Sequence, residues 1–171
     1  RKLGVRGLYV GNLVRPKGVA VDASGNVYVI ESYYDHLLVF DKEGAFLKAI
    51  GGQGHGAGQF YLPAGVWVDA GNRVFVANSA QDTITVINAA TLSIIGHVDL
   101  RNSIANDPDR NRQFQPRGLA VTADNTKLYV TRFLSFTKPG GRQGDDDGDI
   151  HCRRPVRPAR ARRRLPRDDG L

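Results

Sequence analysis

Sulfur-containing residues are almost absent from this chain of 171 residues, which has no methionine and a single cysteine, Cys152. Because residues 1–151 contain no cysteine, neither a disulfide framework nor a thiolate metal site can be proposed for them. Long apolar runs are also missing, and none approaches the ~18 residues of a membrane-spanning helix. The N-terminus lacks a basic start followed by an apolar segment, so we expect any signal peptide to lie upstream of Arg1.

Positive charge is concentrated at one end of the chain. The net charge is +7, but residues 153–171 hold eight arginines and two aspartates, which leaves only +1 for residues 1–152. A basic stripe on a folded face is the usual electrostatic mark of nucleic-acid binding. The near-neutral body predicts that the folded part of the chain does not bind nucleic acid, which also disfavours RNA binding.

The C-terminal segment 139–171 is first acidic and then rich in arginine and proline. From residue 153 onward it has only Val156, Leu165 and Leu171 as large apolar residues, too few to form a core, so we predict a disordered tail. Such a composition is typical of a GC-rich gene read in the wrong frame. We therefore hypothesise that the sequence after about Asp149 is out of frame. The acidic run 145–149 lacks the alternating register of a calcium-binding EF-hand loop.

An internal repeat organises the rest of the chain. Residues 16–22 recur as residues 63–69, an offset of 47 that continues without a gap, and a third copy begins at Pro116 after an offset of 53. Each copy starts with Pro-x-Gly followed by an apolar stretch. A fixed period of this length is typical of repeat architectures.

Each repeat reads as four short strands separated by turns. In the first copy we predict strands over 18–22, 27–31, 37–41 and 45–50, with Gly- and Asn-containing turns between them. The strands are apolar on both faces, which favours burial against a neighbouring sheet on either side. The sequence predicts an all-β fold, a partial β-propeller of about three four-stranded antiparallel blades over residues 1–138.

The repeat resembles a known family. The pattern Pro-x-Gly-Val-Ala-Val-Asp-x-x-Gly-Asn-Val-Tyr-Val at 16–29 is similar to the NHL repeat, whereas 75–88 and 128–131 resemble the related YVTN repeat. The resemblance implies a propeller of six or seven blades that binds ligands or partners and is often exported. We therefore expect an extracellular, cell-surface or periplasmic location. The remaining blades are expected from a longer chain or from self-association.

Strand order predicts where a binding site would lie. If the strands run up and down, the loop before the first strand and the loop after the second share one face, which borders the central channel. Aromatic side chains supply contact area there at low entropic cost, and arginine binds anions in a bidentate manner. The candidate ligand-binding residues are Lys17, Tyr33, Tyr34, His36, Arg117 and Arg132. Trp67 is interpreted instead as a filler between blades.

Catalysis has little support in the sequence. No pair of the four histidines has metal-ligand spacing on one element, and the glycine run 51–58 lacks the Lys-Ser/Thr ending of a phosphate loop. Asp22 and Asp69 recur at one position, which favours turn capping over acid–base chemistry. We predict a non-catalytic scaffold without metal or cofactor that binds a protein, glycan or small ligand. The alternative is a fragment of a propeller lyase or hydrolase whose active site needs further blades.

Overall fold

The computed structural model describes residues 3–101 and 114–133, together with the backbone of residues 150–153. These ranges contain eleven β-strands in three antiparallel sheets, which confirms the predicted all-β propeller architecture. In the described ranges no helix has the length and apolar character needed to cross a membrane.

The sheets are up-and-down meanders that follow one another along the chain. We call them blades 1, 2 and 3. Blade 1 contains β1 (Pro16–Val21), β2 (Val27–Glu31), β3 (His36–Phe40) and β4 (Phe46–Gly51). Blade 2 contains β5 (Pro63–Val68), β6 (Arg73–Asn78), β7 (Thr83–Asn88) and β8 (Ser93–Asp99). Blade 3 contains β9 (Pro116–Val121), β10 (Leu128–Arg132) and β11 (Ile150–Arg153).

Blade 3 differs from the sequence prediction at its outer side. Three strands are described there instead of four, in the order β11-β10-β9. The strand β11 lies inside the segment 139–171, for which we predicted disorder. Its backbone pairs with β10 from Leu128↔Arg153 to Thr131↔Ile150, so the prediction of disorder does not hold for these four residues. The other residues of that segment, and the predicted reading-frame change, lie outside the described residues.

The turns after the first strands are fixed by the aspartates that the repeat singles out. Oδ1 of Asp22 accepts hydrogen bonds from the backbone N–H groups of Ser24 and Asn26, both at 2.9 Å. In blade 2, Oδ1 of Asp69 accepts the N–H of Arg73 at 2.8 Å. Such contacts replace main-chain pairing in a tight turn. The predicted turn-capping role of the two aspartates is confirmed.

Hydrophobic cores lie between successive blades, as expected for sheets that are apolar on both faces. One cluster joins Tyr28, Ile30 and Val39 of blade 1 to residues of blade 2 that include Val74 and Val76. A second cluster joins blade 2 to blade 3. Its buried members are Phe75, Ala77, Ile84, Val86, Val98, Leu100, Phe114, Leu128 and Val130.

Trp67 is not the buried filler that the sequence predicted. Its side chain stays 38% exposed on the inner strand β5, opposite Phe75. An indole is much larger than the methyl group of Ala20, which occupies the equivalent position in blade 1. The inner strands lie too close together to enclose a ring of that size, as the glycine contacts below indicate.

The Pro-x-Gly signature marks the place where the inner strands of neighbouring blades meet. A Cβ atom at Gly18 would lie 3.3 Å from the carbonyl oxygen of Ala64 in the next blade. At Gly65 an added Cβ would overlap the carbonyl oxygen of Arg117, again in the next blade. Glycine suits these two positions because the backbone of the next blade approaches closely, whereas a Cβ at Gly118 would meet the Thr131 side chain of its own blade.

The opposite face of blade 1 is open on its inner strand. Val19 is 66% exposed, whereas Val66, at the equivalent position in blade 2, is only 9% exposed because blade 1 covers it. Val21 is exposed as well. The face of β1 that would meet a preceding blade therefore has no cover from the described residues.

Candidate functional site

Strand register places one end of every described blade on a common edge, which we call the top edge. In blade 1, Pro16 pairs with Glu31, Glu31 with His36, and His36 with Gly51. The corresponding pairs begin with Pro63↔Asn78 in blade 2 and with Pro116↔Arg132 in blade 3. The loop before the first strand and the loop after the second strand therefore share this edge, as the strand order predicted.

The buried carboxylate of Glu31 shapes the loop between β2 and β3. Glu31 is only 1% exposed, and its Oε1 accepts the N–H of Arg15 at 2.6 Å. Its Oε2 accepts the N–H groups of Tyr33 at 3.1 Å and Tyr34 at 3.0 Å. Hydrogen bonds to an ionised acceptor are stronger than neutral ones. One side chain thus fixes the backbone that carries both tyrosines.

The aromatic candidates of blade 1 lie together on this loop. The rings of Tyr33 and Tyr34 meet edge to face, with centroids 4.8 Å apart, and the ring of His36 lies 6.3 Å from that of Tyr34. The hydroxyl of Tyr34 donates to the carbonyl oxygen of Leu8 at 3.1 Å, which holds its ring in place. Tyr33 remains 51% exposed, so it offers the larger accessible aromatic surface.

Buried aspartates connect each top-edge loop to the following blade. Asp35 has a φ of 56°, and its carboxylate accepts the backbone N–H of Leu62, the residue before β5. Burial raises the pKa of Asp35, while the Leu62 hydrogen bond and the charge of Lys17 oppose that shift. In blade 2, Oδ1 of Asp82 accepts the N–H of Gln115 at 2.8 Å, the residue before β9. The blades are thus joined at the edge where the candidate residues lie.

Basic side chains from two different blades approach one another at the same edge. Burial, followed by the charges of Arg117 and Arg15, lowers the pKa of Lys17. The guanidinium of Arg117 lies 4.1 Å from the ring centroid of Phe133, a distance typical of a cation–π contact. Lys17 and Arg117 therefore share the top edge, where the charge of Arg117 acts on Lys17, although blade 2 separates them in sequence.

Arg132 occupies a different environment from the other candidates. Its side chain is buried, and its guanidinium lies 5.9 Å from the ring centroid of Phe114 in the core between blades 2 and 3. Because Arg132 ends β10 in register with Pro116, it supports the top edge from within. We therefore do not count it among the accessible ligand-binding residues.

Three residues that contribute to the top edge were not among the candidates selected from the sequence. Glu31 stands at a position that holds Asn78 and Arg132 in the other copies, so the repeat gave no common residue there to select. Arg15 precedes the proline of the repeat, and Phe133 follows β10. Their position beside the Pro-x-Gly signature or the second strand was the available signal, since both places map to the top edge.

Within the part of the chain that the structure describes, no group of three or more His, Cys, Asp or Glu side chains could hold a metal ion. The accessible candidates at the top edge are aromatic rings and cations, and the carboxylates of Glu31, Asp35 and Asp82 are buried there. Such a set can contact a ring face and pair with an anion.

The three blades define the chain as part of a β-propeller, and comparison with known proteins identifies the family. Residues 14–133 match the family described as "6-bladed beta-propeller", and the chain belongs to it. No curated protein matches the chain.

Solved structures show the same fold over longer chains. A Bacteroides fragilis protein described as exported superposes with a TM-score of 0.57 and 25% identity, over 75% of this chain and 32% of that one. Kuenenia stuttgartiensis hydrazine synthase gives 0.55 and 20%, over 72% and 31%. A luciferin-regenerating enzyme gives 0.52 and 17%, over 83% and 45%. The matched part of this chain thus spans about a third of the first two structures.

Proposed function

We propose that the chain is part of a non-catalytic binding propeller of the NHL/YVTN type, which holds a protein, glycan or small ligand on its top edge. The observation that carries this proposal is the fixed aromatic loop of blade 1. Glu31 holds the backbone of Tyr33 and Tyr34, and the ring of Tyr33 remains accessible beside the cations of the same edge.

A preorganised loop of this kind suits recognition for a physical reason. Binding costs conformational entropy when side chains and loops become ordered, and a loop already fixed by buried hydrogen bonds avoids much of that cost. Tyrosine adds a large contact area with only two side-chain torsions to restrict. Lys17 and Arg117 add charge next to this aromatic surface, which favours a ligand with both a ring or apolar part and a polar part.

The location that we propose is extracellular, at the cell surface or periplasmic. Support comes from the Bacteroides fragilis structure, which is described as exported and is 25% identical over 75% of this chain. The enzymes among the similar structures are 20% and 17% identical, so they bear on the fold alone.

The remaining blades of the ring are proposed to come from a longer chain or from further copies. The uncovered valines of β1, Val19 and Val21, support this because a preceding blade would bury them. Light scattering of the 171-residue chain separates the two sources. A 171-residue chain that stays monomeric points to a longer chain as the source of the other blades. A defined multimer points to further copies.

A matched pair of substitutions tests the binding proposal. The 171-residue chain is screened against an array of soluble oligosaccharides and a library of small acids, and each binder is titrated by calorimetry. Tyr33→Leu removes the accessible ring at the top edge and should weaken binding about tenfold, as for a typical contact residue. Phe46→Leu makes the same kind of change at the opposite edge, where Phe46 pairs with Phe40, and should leave affinity unchanged.

Equal affinities for both variants would contradict the placement of the site. Conversion of a binder during the titration would support the alternative, part of a propeller lyase or hydrolase, which no described residue specifically favours. Selective capture of RNA would support the RNA-binding alternative instead.

A further inference from the structure

The inner strands of the three blades carry a basic, a small and a basic residue at one equivalent position. Lys17, Ala64 and Arg117 are each the second residue of the first strand of their blade, immediately before the glycine of Pro-x-Gly. The matching registers, Pro16↔Glu31, Pro63↔Asn78 and Pro116↔Arg132, place all three at the top edge.

Close backbone contacts bring these three positions together. A Cβ added at Gly18 would lie 3.3 Å from the carbonyl oxygen of Ala64, and a Cβ added at Gly65 would overlap the carbonyl oxygen of Arg117. Ala64, between the two cations, contributes only a methyl group, so no large side chain separates them along this row. The ring of Phe133, 4.1 Å from the Arg117 guanidinium, limits where that guanidinium can lie.

Neither Lys17 nor Arg117 forms an ion pair with an acidic side chain in the described part of the chain. The ion pairs found there join Lys42 to Glu43, Arg73 to Asp69 and Arg101 to Asp99, and none includes Lys17 or Arg117. The Nε atom of Arg117 is buried without a hydrogen-bond acceptor in those same ranges. The acidic group that acts on Lys17 is Asp35, which is buried and accepts the Leu62 N–H. Neighbouring like charges repel, and a bound anion would relieve that repulsion.

We propose that Lys17 and Arg117 form an oxyanion-binding site at the top edge of the inner strands, one that takes the carboxylate, sulfate or phosphate group of a ligand. This inference rests on the proposed binding function and names the chemistry that the ligand must carry. Arg117 supplies the planar fork that pairs with two oxygens, and Lys17 supplies a point charge. Arg15, whose charge also reaches Lys17, adds to the positive potential.

The experiment uses anions alone as probes. The ¹⁵N-labelled 171-residue chain is titrated with inorganic phosphate, sulfate or acetate at constant ionic strength maintained with chloride, and amide shifts are followed by NMR. We expect saturable shifts at Gly18, Gly65 and Gly118, the glycines that follow the three positions. A response to phosphate and sulfate but not to acetate assigns a tetrahedral oxyanion, and a response to acetate as well assigns a carboxylate-compatible site.

Matched variants test which residues bind. Lys17→Gln and Arg117→Gln should each weaken anion binding about tenfold, the effect of losing one charge-assisted hydrogen bond. Lys42→Gln removes the same charge from the β3–β4 turn at the opposite edge and should leave affinity within about twofold, since distant exposed charges are screened by salt. Ala64→Lys places a third cation in the row and should tighten binding by a similar factor.

Each result decides the proposal. Loss of affinity on Lys17→Gln and Arg117→Gln, with a gain on Ala64→Lys, supports the site. Equal weakening by Lys42→Gln, or no saturable shift at the three glycines, overturns it. If anions fail to bind but a neutral ligand is lost on Tyr33→Leu, the oxyanion site is wrong and the binding function stands. If neither anions nor any other ligand bind, both proposals fail together.

Discussion

The two junctions between blades use the same backbone device but differ in the side chains around it. At the first junction Asp35 accepts the N–H of Leu62, and at the second Asp82 accepts that of Gln115. Both aspartates have a left-handed backbone, with φ of 56° and 55°. Aspartate tolerates that conformation better than most residues. The part of the junction that recurs is therefore an aspartate that joins the second loop of one blade to the residue before the next blade.

The variable part lies at the end of the second strand. In blade 1 the carboxylate of Glu31 accepts the backbone N–H of Tyr33 and so fixes the loop that carries this ring. In blade 2 the amide of Asn78 donates instead to Thr85 at 2.8 Å inside the sheet, and Ser79 Oγ donates across the junction to the carbonyl oxygen of Pro116 at 2.6 Å. The first junction thus presents side chains to solvent, whereas the second uses them to tie blade 2 to blade 3.

The largest effect is expected at the tighter junction. In Gly65→Ala the new methyl group overlaps the carbonyl oxygen of Arg117, so β5 and β9 must separate. We expect a loss of about 3 kcal/mol in the free energy of unfolding, the upper range for overpacking against backbone. Urea denaturation of the 171-residue chain, followed by circular dichroism, measures it.

Gly18→Ala is the matched control at the first junction. Its added Cβ would lie 3.3 Å from the carbonyl oxygen of Ala64, a contact that a shift of a few tenths of an ångström relieves. The expected cost is about 1 kcal/mol or less. Equal costs at the two glycines would show that the junctions do not differ in backbone approach.

The next largest loss of stability is expected from removing the Glu31 carboxylate, the hydrogen-bond acceptor that the loop of blade 1 has and the loop of blade 2 lacks. Glu31→Ala leaves three backbone N–H groups without their carboxylate, those of Arg15, Tyr33 and Tyr34. We expect a loss of about 2 kcal/mol in the free energy of unfolding, since hydrogen bonds to a charged group are worth roughly 1.5–3 kcal/mol. The loop should also become mobile, which hydrogen exchange of the Tyr33 and Tyr34 amides would detect as faster exchange.

Asn78→Ala provides the comparison in blade 2. It removes hydrogen bonds to Thr83 and Thr85, both neutral, and should cost about 1 kcal/mol. Because Asn78 does not hold the aromatic loop, exchange of the Tyr33 amide should stay as in the wild type. Faster Tyr33 exchange in Asn78→Ala would mean that the loops are coupled through the junction rather than set locally.

The contrast between the junctions also shows what the sequence could predict. The period that begins at Pro16, Pro63 and Pro116 was sufficient for the strand order and the common edge, because antiparallel meanders leave few other arrangements. The burial of Arg132 and the exposure of Trp67 depended on distances between blades. Those distances are set by backbone approach at Gly18 and Gly65, which no residue pattern expresses.

The same reason explains the outcome for the candidate site. Tyr33, Tyr34 and His36 are neighbours in sequence, so one loop was enough to bring them together. The approach of Lys17 to Arg117 required the stacking of three blades and a small residue at Ala64. The role of Glu31 was hidden because its position holds a different residue in each copy.

A smaller effect is expected from the aspartates common to both junctions. Asp82→Ala leaves the Gln115 N–H without its acceptor and should cost about 1–2 kcal/mol. Asp35→Asn keeps an oxygen for the Leu62 N–H but removes the buried charge, so it should change stability at neutral pH by less than about 1 kcal/mol, in the stabilising direction. Both values come from urea denaturation at pH 7.

The pH dependence separates the charge of Asp35 from its hydrogen bond. Since burial raises the pKa of Asp35, the folded state holds this proton more tightly than the unfolded state does. Its contribution to stability is complete below the ordinary value of 3.8 and is lost as pH rises through the folded pKa. Asp35→Asn should lack that decline. A decline of the same size in Asp35→Asn would assign it to another group.

An effect of about 1 kcal/mol is expected at the turn after the first strand, where the blades again differ. Burial alone would raise the pKa of Asp22, but hydrogen bonds from Asn26, Tyr28 and Ser24 outweigh burial and lower it. The contribution of Asp22 to stability is therefore present above pH 3.8 and is lost as pH falls through the folded pKa. The free energy of unfolding of Asp22→Asn should therefore be about 1 kcal/mol lower than that of the wild type at pH 7 and should approach the wild-type value in acid.

Blade 3 builds the same turn with a hydroxyl, as Thr122 Oγ1 accepts the Lys127 N–H at 3.1 Å. The same hydroxyl donates to Asp124 Oδ1, and because Thr122→Ser retains it, the stability of this variant should differ from that of the wild type by an amount that does not change with pH. Since the pKa shifts of Asp22 and Asp35 have opposite sign, the stabilities of Asp22→Asn and Asp35→Asn should differ from that of the wild type in opposite directions at pH 7. Both differences should shrink as the pH falls towards 3, and differences that stay constant over this range would show that neither carboxylate controls the acid response of the blades.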